Sequence, residues 1–581
     1  MNRRYVLGVL VALPLAAHLY LGVRFIRSEA ATYDEAVHLA SGYSYWAAGT
    51  FRLNSQDHPP LAKLLAAAPL LQMRPDLYLH HPHWLEGRQF HYADMFLYRN
   101  RVGAERMLNA ARLVLFLVWT ALLGAGVLIC SRRAAGDVGM AAAAVLYAFC
   151  PAFLSNAPLV TTDMAAATWF FLSVWLLAGA LSEVWDSGER SSGAAQGGVA
   201  RFGRRWVPVG VCVGLGYASK FNMIVLVPIL AATAALDWVL RPIPKPRVPW
   251  KWILAASAVA AGTLAAVYKF DQLPRYWEGL SATLWHTQQG RSAFFMGRHS
   301  TQGFLLYFPV ALFIKTPLPV WILAAAGLVF WWRGRRGVPG HFLWWSVPPS
   351  LYFAAALLAK TQIGYRHVLP VVPFILLWSA YGAARLWNFR SGRFAAAALG
   401  AWLVGSVLRV HPHYLAYFNE TVGGPSQGYR YLADSNLDWG QGLKSLAREV
   451  GIMGGPPVYL SYFGSADPSA YGLKYVPVGF VANVERNGDA VDPSASGRVL
   501  FAVSATNLQA VYYADKSIFD WLKERRPVRV IDHSIFLYDL TQDAQGCRHL
   551  IRLLELSGRP DAARALAAKW KDGVFRSGAG G

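Results

Sequence analysis

The sequence predicts an α-helical polytopic membrane protein of about eleven transmembrane helices, followed by a soluble α/β domain. Three observations carry this. Hydrophobic residues make up 55% of the 581-residue chain and charged residues only 15%, well below the roughly 25% charged residues of a soluble protein. Apolar runs of spanning length, about 17–25 residues, recur from residue 5 to residue 409. The 23 Trp and 27 Tyr suit aromatic anchors at membrane interfaces. The formal charge of +22 then reads as basic cytoplasmic loops, with no nucleic-acid partner. Of the four cysteines, Cys130, Cys150 and Cys212 lie in apolar segments and Cys547 stands alone in the tail. That spacing points to neither a disulfide framework nor a CxxC metal site.

Met1-Asn2-Arg3-Arg4 and the apolar residues to Leu21 resemble a signal peptide, but no small-x-small cleavage site follows, so they read as a retained first helix. The apolar runs lie near 5–25, 112–130, 138–155, 164–184, 207–219, 221–240, 252–268, 305–332, 342–359, 367–384 and 394–409. Alternate connections carry Arg3-Arg4, Arg132-Arg133, Arg201/Arg204/Arg205, Arg241/Lys245/Arg247, Arg333/Arg335/Arg336 and Arg385/Arg390/Arg393. With eleven spans all fall on one side, as the positive-inside rule requires. The expectation is a multi-pass protein of the cell (inner or plasma) membrane, with a cytoplasmic N-terminus and everything after about 410 outside. Outside also lie the first loop at 27–111 and the loop at 269–302.

In the first loop, 61–72 is apolar but too short to span and reads as an interfacial amphipathic helix. Residues 187–200 are a glycine- and serine-rich cytoplasmic loop. The organisation expected is a membrane domain over 1–410, an extracytoplasmic α/β domain over 411–544 and a helical hairpin tail over 545–581. In the α/β domain "PPVYLSYFG", "GRVLFAVSA" and "RVIDHSIFLYDL" are strand-like, with a helix around Gln441–Val450. The tail resembles half a tetratricopeptide array, and a single unit serves as a cap or docking element.

Chemistry-bearing residues gather on the outer side. Asp34-Glu35 opens a stretch with helical apolar spacing, so Asp34 sits where the helix dipole favours a carboxylate. It is either a general base or a plain N-cap. Asp57-His58 precedes two prolines, which stiffen the backbone. The pair is a candidate divalent-metal ligand set or the turn that starts the next helix, and two adjacent residues are a weak metal signal. His80-His81-Pro82-His83 lacks carboxylates at fixed spacing and is weaker still. Asp163 follows Thr161-Thr162 at the start of the fourth span. Those threonines already suffice as caps, and a carboxylate at the edge of hydrocarbon is costly without a partner or a task. Lys220 in "YASKFN", Lys315 in "KTPLP" and Arg366-His367 in "GYRHVLP" all stand at helix ends on the same side. Cations at helix ends suit a phosphate, although snorkelling to headgroups explains one or two of them. A transporter or flippase of a lipid-linked or anionic substrate is the competing class. It would carry midplane charges and an internal repeat, and neither is evident here.

Together Asp34-Glu35, "DHPPLAK", Thr162-Asp163, "YASKFN", "KTPLP", "GYRHVLPVVPF" and "DSNLDWGQ" resemble the polyprenyl-phosphate-dependent GT-C glycosyltransferases. Nearest are the bacterial protein O-mannosyltransferase-like enzymes and the lipid A aminoarabinose transferases. The resemblance covers about residues 1–446. It implies a GT-C membrane domain that moves a sugar from a polyprenyl-phosphate donor to an acceptor hydroxyl, with inversion. The acceptor is a protein, lipid or glycan, the surroundings are membrane lipids, and no soluble cofactor is required; a divalent metal is allowed. By resemblance Asp34, Glu35 and Asp163 are catalytic, and Lys220, Lys315, Arg366, His367 and Lys63 hold the donor phosphate. Asp57-His58 stands where the aminoarabinose transferases have an acidic residue and a Lys, so His58 departs from the pattern towards a metal or neutral-donor role. In loop 269–302, Tyr276, Trp277, Trp285, His286 and Arg291 suit sugar stacking and phosphate contacts, or interfacial anchoring.

Overall fold

The computed structural model of the protein describes residues 3–187, 198–241, 245–334, 340–479 and 497–571. Most of the loop at 187–200, Arg335, Arg336 and the final ten tail residues lie outside the described residues. The protein is a helical, polytopic membrane protein with one small mixed sheet towards its C-terminus.

Among the described residues, seven helices are long and apolar enough to cross a membrane, or eight if one bent pair counts as a span. Three features separate this from eleven apolar runs. The runs near 112–130 and 138–155 share one 45-residue helix, Ala104–Ala148, interrupted at Ala135 and Gly136, where Gly136 takes φ +65°. The run near 305–332 is broken into Tyr307–Lys315 and Leu318–Arg333, which meet at 104°. Pro317 has no N–H to donate and holds Thr316 in extended geometry, φ −103° and ψ 133°. The helices Gly198–Tyr217 and Gly340–Leu357 match two further runs but carry internal prolines, Pro208 and Pro348-Pro349, and are not among the seven.

Helix Glu35–Ala47 packs on helix Leu61–Ala67, and both are almost wholly buried. Gly42 makes the approach possible, because a Cβ there would stand 2.1 Å from the Lys63 carbonyl oxygen. The run at 61–72, expected as one interfacial amphipathic helix, forms two short helices, Leu61–Ala67 and Leu70–Met73. Its polar position, Lys63, turns inward onto carbonyls instead of outward to headgroups.

Strands β1 (Ala293–Phe295) and β2 (Arg298–Ser300) form a hairpin in the loop after the seventh apolar run. The main sheet contains β3 (Val458–Ser461), β4 (Tyr475–Pro477), β5 (Leu500–Ser504), β6 (Arg529–Ile531) and β7 (Ile535–Asp539), in the order β4-β3-β5-β7-β6. Pairings β4–β3 and β3–β5 are parallel, while β5–β7 and β7–β6 are antiparallel. The stretch "RVIDHSIFLYDL" reads as one strand in sequence but folds as a hairpin. Asp532 and His533 take φ +51° and +59° and turn the chain. Main-chain bonds dock this region on the first loop: Ala30 N–H donates to Gln441 O and Tyr33 N–H to Trp439 O, both at 2.9 Å.

A buried cluster reinforces the docking. His413 donates from Nδ1 to Glu29 Oε1 at 2.8 Å and from Nε2 to Asp532 Oδ1 at 3.0 Å. Burial alone would lower the His413 pKa, but the Glu29 hydrogen bond and the two carboxylate charges raise it overall. Burial, with Glu29 adding repulsion, pushes Asp532 up to about 6. Both groups bind protons more tightly folded than unfolded, so both contributions are full at low pH and fade as pH rises. For Asp532 the loss runs from its ordinary value of about 3.9 to about 6. For His413 it begins near its ordinary value of about 6.5 and ends above it. The stabilisation supplied by this cluster, read as the difference in thermal unfolding between the detergent-solubilised wild type and His413→Gln, should therefore be larger at pH 5 than at pH 8.

Candidate active site

Asp34, Lys220 and Arg366 come from three distant segments and meet at one cavity of about 770 Å³. Each is delivered by a local interruption of helix. Asp34 precedes helix Glu35–Ala47, Lys220 fills the gap between helices Gly198–Tyr217 and Phe221–Val225, and Arg366 lies in the 3-10 turn Tyr365–Val371. Asp34 takes the N-cap position of its helix but makes no capping hydrogen bond. Its carboxylate faces Arg366 instead, Nη1 to Oδ2 at 3.3 Å, and is 22% exposed. The N-cap reading of Asp34 therefore has no hydrogen bond to support it.

Asp163, expected to be catalytic, is buried behind the cations and does not itself line the cavity, which corrects its role to one of positioning. Lys220 Nζ donates to Asp163 Oδ1 at 2.5 Å, and Arg366 Nη1 reaches Oδ2 at 3.4 Å. One carboxylate thus fixes two cations. Arg366 is held further by Ser435 Oγ at 3.1 Å and by the Trp439 ring, 4.0 Å from the guanidinium carbon. Gly364 is needed beside it, because a Cβ there would meet Ser435 Oγ at 2.1 Å. Arg291 adds a further cation to the cavity lining, and His367 adds an imidazole.

Three sequence-predicted residues are used elsewhere, which corrects their assignment. Glu35 is completely buried against Arg112, accepting from Nε at 2.8 Å and from Nη2, and also accepts from the Thr32 and Val160 N–H groups at 2.8 and 3.0 Å. Burial would raise its pKa, but Arg112 and these N–H donors hold it below the usual range. It staples the first loop to helix Ala104–Ala148 and does not line the cavity. Lys63 donates to the Asn54 and His58 carbonyls at 2.6 and 2.8 Å. Lys315 donates to the Leu415 and Asn436 carbonyls. Neither ammonium lines the cavity, so neither is placed to hold a phosphate there.

Asp57 and His58 do line it. Asp57 Oδ2 accepts from the Asn54 and Gln89 amides, both at 2.8 Å. The His58 ring packs edge-on against His38 at 5.1 Å, and burial with neighbouring positive charge pushes its pKa well down. Among the described residues, the group of three metal-ligating side chains that converges is Glu29, His413 and Asp532. Among the described residues Asp57 and His58 gain no third ligand.

Several lining residues were not foreseen. His38 lies one turn after Asp34, a spacing that could have signalled it, and its Nδ1 bonds Val160 O at 2.7 Å. Asp434 adopts φ +56° and accepts from Ser435 N–H at 2.5 Å and from the Tyr512 hydroxyl. Burial raises its pKa. Phe463 and Tyr512 reach the cavity from the sheet region, where nothing in the local sequence marks them.

No protein-family model matches the chain, and no curated protein does. Among solved structures, it is similar to apo ArnT from Cupriavidus metallidurans at 13% identity and a TM-score of 0.48, over 91% of this chain and 97% of that one. The same protein bound to undecaprenyl phosphate gives 13% identity and a TM-score of 0.47, over 92% and 98%. The apo oligosaccharyltransferase of Archaeoglobus fulgidus gives 12% and 0.44, over 70% of this chain and 54% of that one.

Proposed function

We propose that this protein is an inverting membrane glycosyltransferase that moves a sugar from a polyprenyl-phosphate donor to an acceptor hydroxyl on the extracytoplasmic side. The observation that carries the reading is one cavity in which a partly exposed carboxylate, Asp34, stands beside two aligned cations, Lys220 and Arg366. The cavity also has an apolar sector formed by Ile224, Leu284 and Ala355. Ile224 and Leu284 are 39% and 51% exposed, as suits a side opening onto hydrocarbon through which a prenyl chain enters.

Lys220 and Arg366, with Arg291 and His367 near them, bind the donor phosphate and neutralise charge as the sugar–phosphate bond breaks. Asp34 takes the proton from the acceptor hydroxyl, whose oxygen attacks the anomeric carbon from the face opposite the leaving phosphate. Asp163 is a positioning residue that holds both cations and touches no substrate. Four charges packed into an apolar frame have a large desolvation cost, and a phosphate among the cations offsets part of it.

The test is binding of undecaprenyl phosphate to the purified protein by native mass spectrometry. Wild type should retain the lipid, and Lys220→Ala should lose about tenfold or more in affinity, the usual range for one charge-assisted contact. Equal retention by both forms would overturn the phosphate assignment.

A further inference from the structure

The acid–base and phosphate chemistry leaves a further set of cavity-lining side chains without a task, and these form a strip. It starts at the Asn54–Asp57–Gln89 cluster, where Gln89 Nε2 donates to Asp57 Oδ2 at 2.8 Å and Asn54 Nδ2 to Gln89 Oε1 at 3.1 Å. Phe90, next along the same helix, meets the Tyr33 ring edge-on at 5.7 Å. Tyr33 stacks on Phe463 at 5.4 Å, and Phe463 stacks on Tyr512 at 5.4 Å and 12°. Tyr512 closes the strip by donating its hydroxyl to Asp434. All of these residues line the cavity.

Two chemical properties define what such a strip binds. The ring faces not covered by stacking within the strip carry negative potential, which attracts the weakly positive C–H face of a saturated polyol ring. The strip's polar groups are two carboxylates, two amides and two phenols, which pair with hydroxyl donors and acceptors. The strip itself carries carboxylates and no cation, so a phosphate is served by Lys220 and Arg366 and not by the strip. A peptide in extended form would add to a sheet edge, but among the described residues no strand residue lines this cavity. A lipid acceptor would need an apolar opening beside the strip, and the exposed aliphatic residues that line the cavity, Ile224 in the turn Phe221–Val225 and Leu284 in the loop helix Pro274–Gln289, are not part of it.

We infer that the acceptor is a carbohydrate, seated by a ring on the Tyr33–Phe463–Tyr512 strip with its attacking hydroxyl directed to Asp34. Tyr33 and Asp34 are consecutive, so Asp34 lies at the seam between the aromatic strip and the cation pair. There the acceptor O–H gives its proton to the Asp34 carboxylate, the oxygen bonds to the anomeric carbon, and the C–O bond to phosphate breaks with its electrons passing to the phosphate oxygen. This inference rests on the glycosyltransferase reading and adds the acceptor class to it.

The test is saturation-transfer difference NMR on the detergent-solubilised full chain, with methyl α-mannoside, methyl β-galactoside and methyl β-N-acetylglucosaminide as probes. Saturation of ring C–H protons is expected for at least one glycoside. It should fall at least fivefold in Phe463→Ala, and also in Gln89→Ala, which leaves the aromatic stack in place. Undecaprenyl phosphate should still bind both variants, which reports on folding and on the phosphate site separately. The signal should persist when the protein is loaded with polyprenyl-phosphate sugars extracted from membranes. No saturation in wild type, an undiminished signal in both variants, or displacement by the lipid-linked sugars would overturn the acceptor assignment. Loss of undecaprenyl phosphate binding by wild type would instead overturn the transferase reading.

Discussion

Asp34→Asn is expected to give a folded protein that binds undecaprenyl phosphate and transfers sugar at least about a hundredfold more slowly than wild type. A positioned base contributes about 10²–10⁴-fold, and a hundredfold corresponds to roughly 2.7 kcal/mol in the barrier. The structural cost is small for two reasons. The side chain makes no capping bond, so nothing at the start of helix Glu35–Ala47 is lost. Arg366 keeps Asp163, Ser435 and Trp439 as partners, so its charge is not left alone. Asn preserves shape but cannot accept a proton at neutral pH. Glu35→Gln should behave oppositely. It leaves the fully buried Arg112 guanidinium without its anion, a loss of about 3–5 kcal/mol in stability, and its effect on transfer should track the folded fraction. Thermal unfolding and single-turnover transfer, measured on both variants, separate the two roles.

Arg366→Lys is the second large effect. The guanidinium meets Asp34, Asp163 and Ser435 at once while lying over Trp439. An ammonium keeps the charge but cannot reproduce that planar fork or the stacking. Losing one charge-assisted hydrogen bond, worth about 1.5–3 kcal/mol, predicts transfer reduced by about 10–100-fold. Folding should survive, because Asp163 retains Lys220 at 2.5 Å. A variant transferring within twofold of wild type would show that Arg366 serves only to hold the carboxylates apart.

The sequence placed Asp34, Lys220 and Arg366 in one site because each stands at a break in a helical pattern on the same side of the predicted topology. Lys63 and Lys315 looked equivalent and are not. A lysine at a helix end has the same local appearance whether it meets a phosphate or a carbonyl. The carbonyls that bind Lys315 belong to Leu415 and Asn436, about a hundred residues away. Glu35 was misread for the same reason, since its partner Arg112 lies 77 positions on. The apolar runs were legible, and so was the helix break at Pro317. The 104° bend between the two halves was not, because run length says nothing about direction. Strands β3, β5 and β7 follow their β-branched and aromatic stretches. Three-residue β4 has too little pattern to be read, and the Asp532–His533 turn lacks the glycine that normally marks a positive φ. The aromatic strip was invisible, because Tyr33, Phe463 and Tyr512 come together only through docking of the sheet region on the first loop.

The most direct test of transfer itself is a lipid measurement in cells that naturally carry the protein. Cells holding wild type, a deletion and Asp34→Asn at equal protein level would be compared for polyprenyl-phosphate sugars by mass spectrometry. A lipid-linked sugar should accumulate in the deletion and to the same extent in Asp34→Asn, and wild type should consume it. An unchanged lipid-linked sugar pool in all three strains, or an Asp34→Asn pool identical to wild type, would contradict the account.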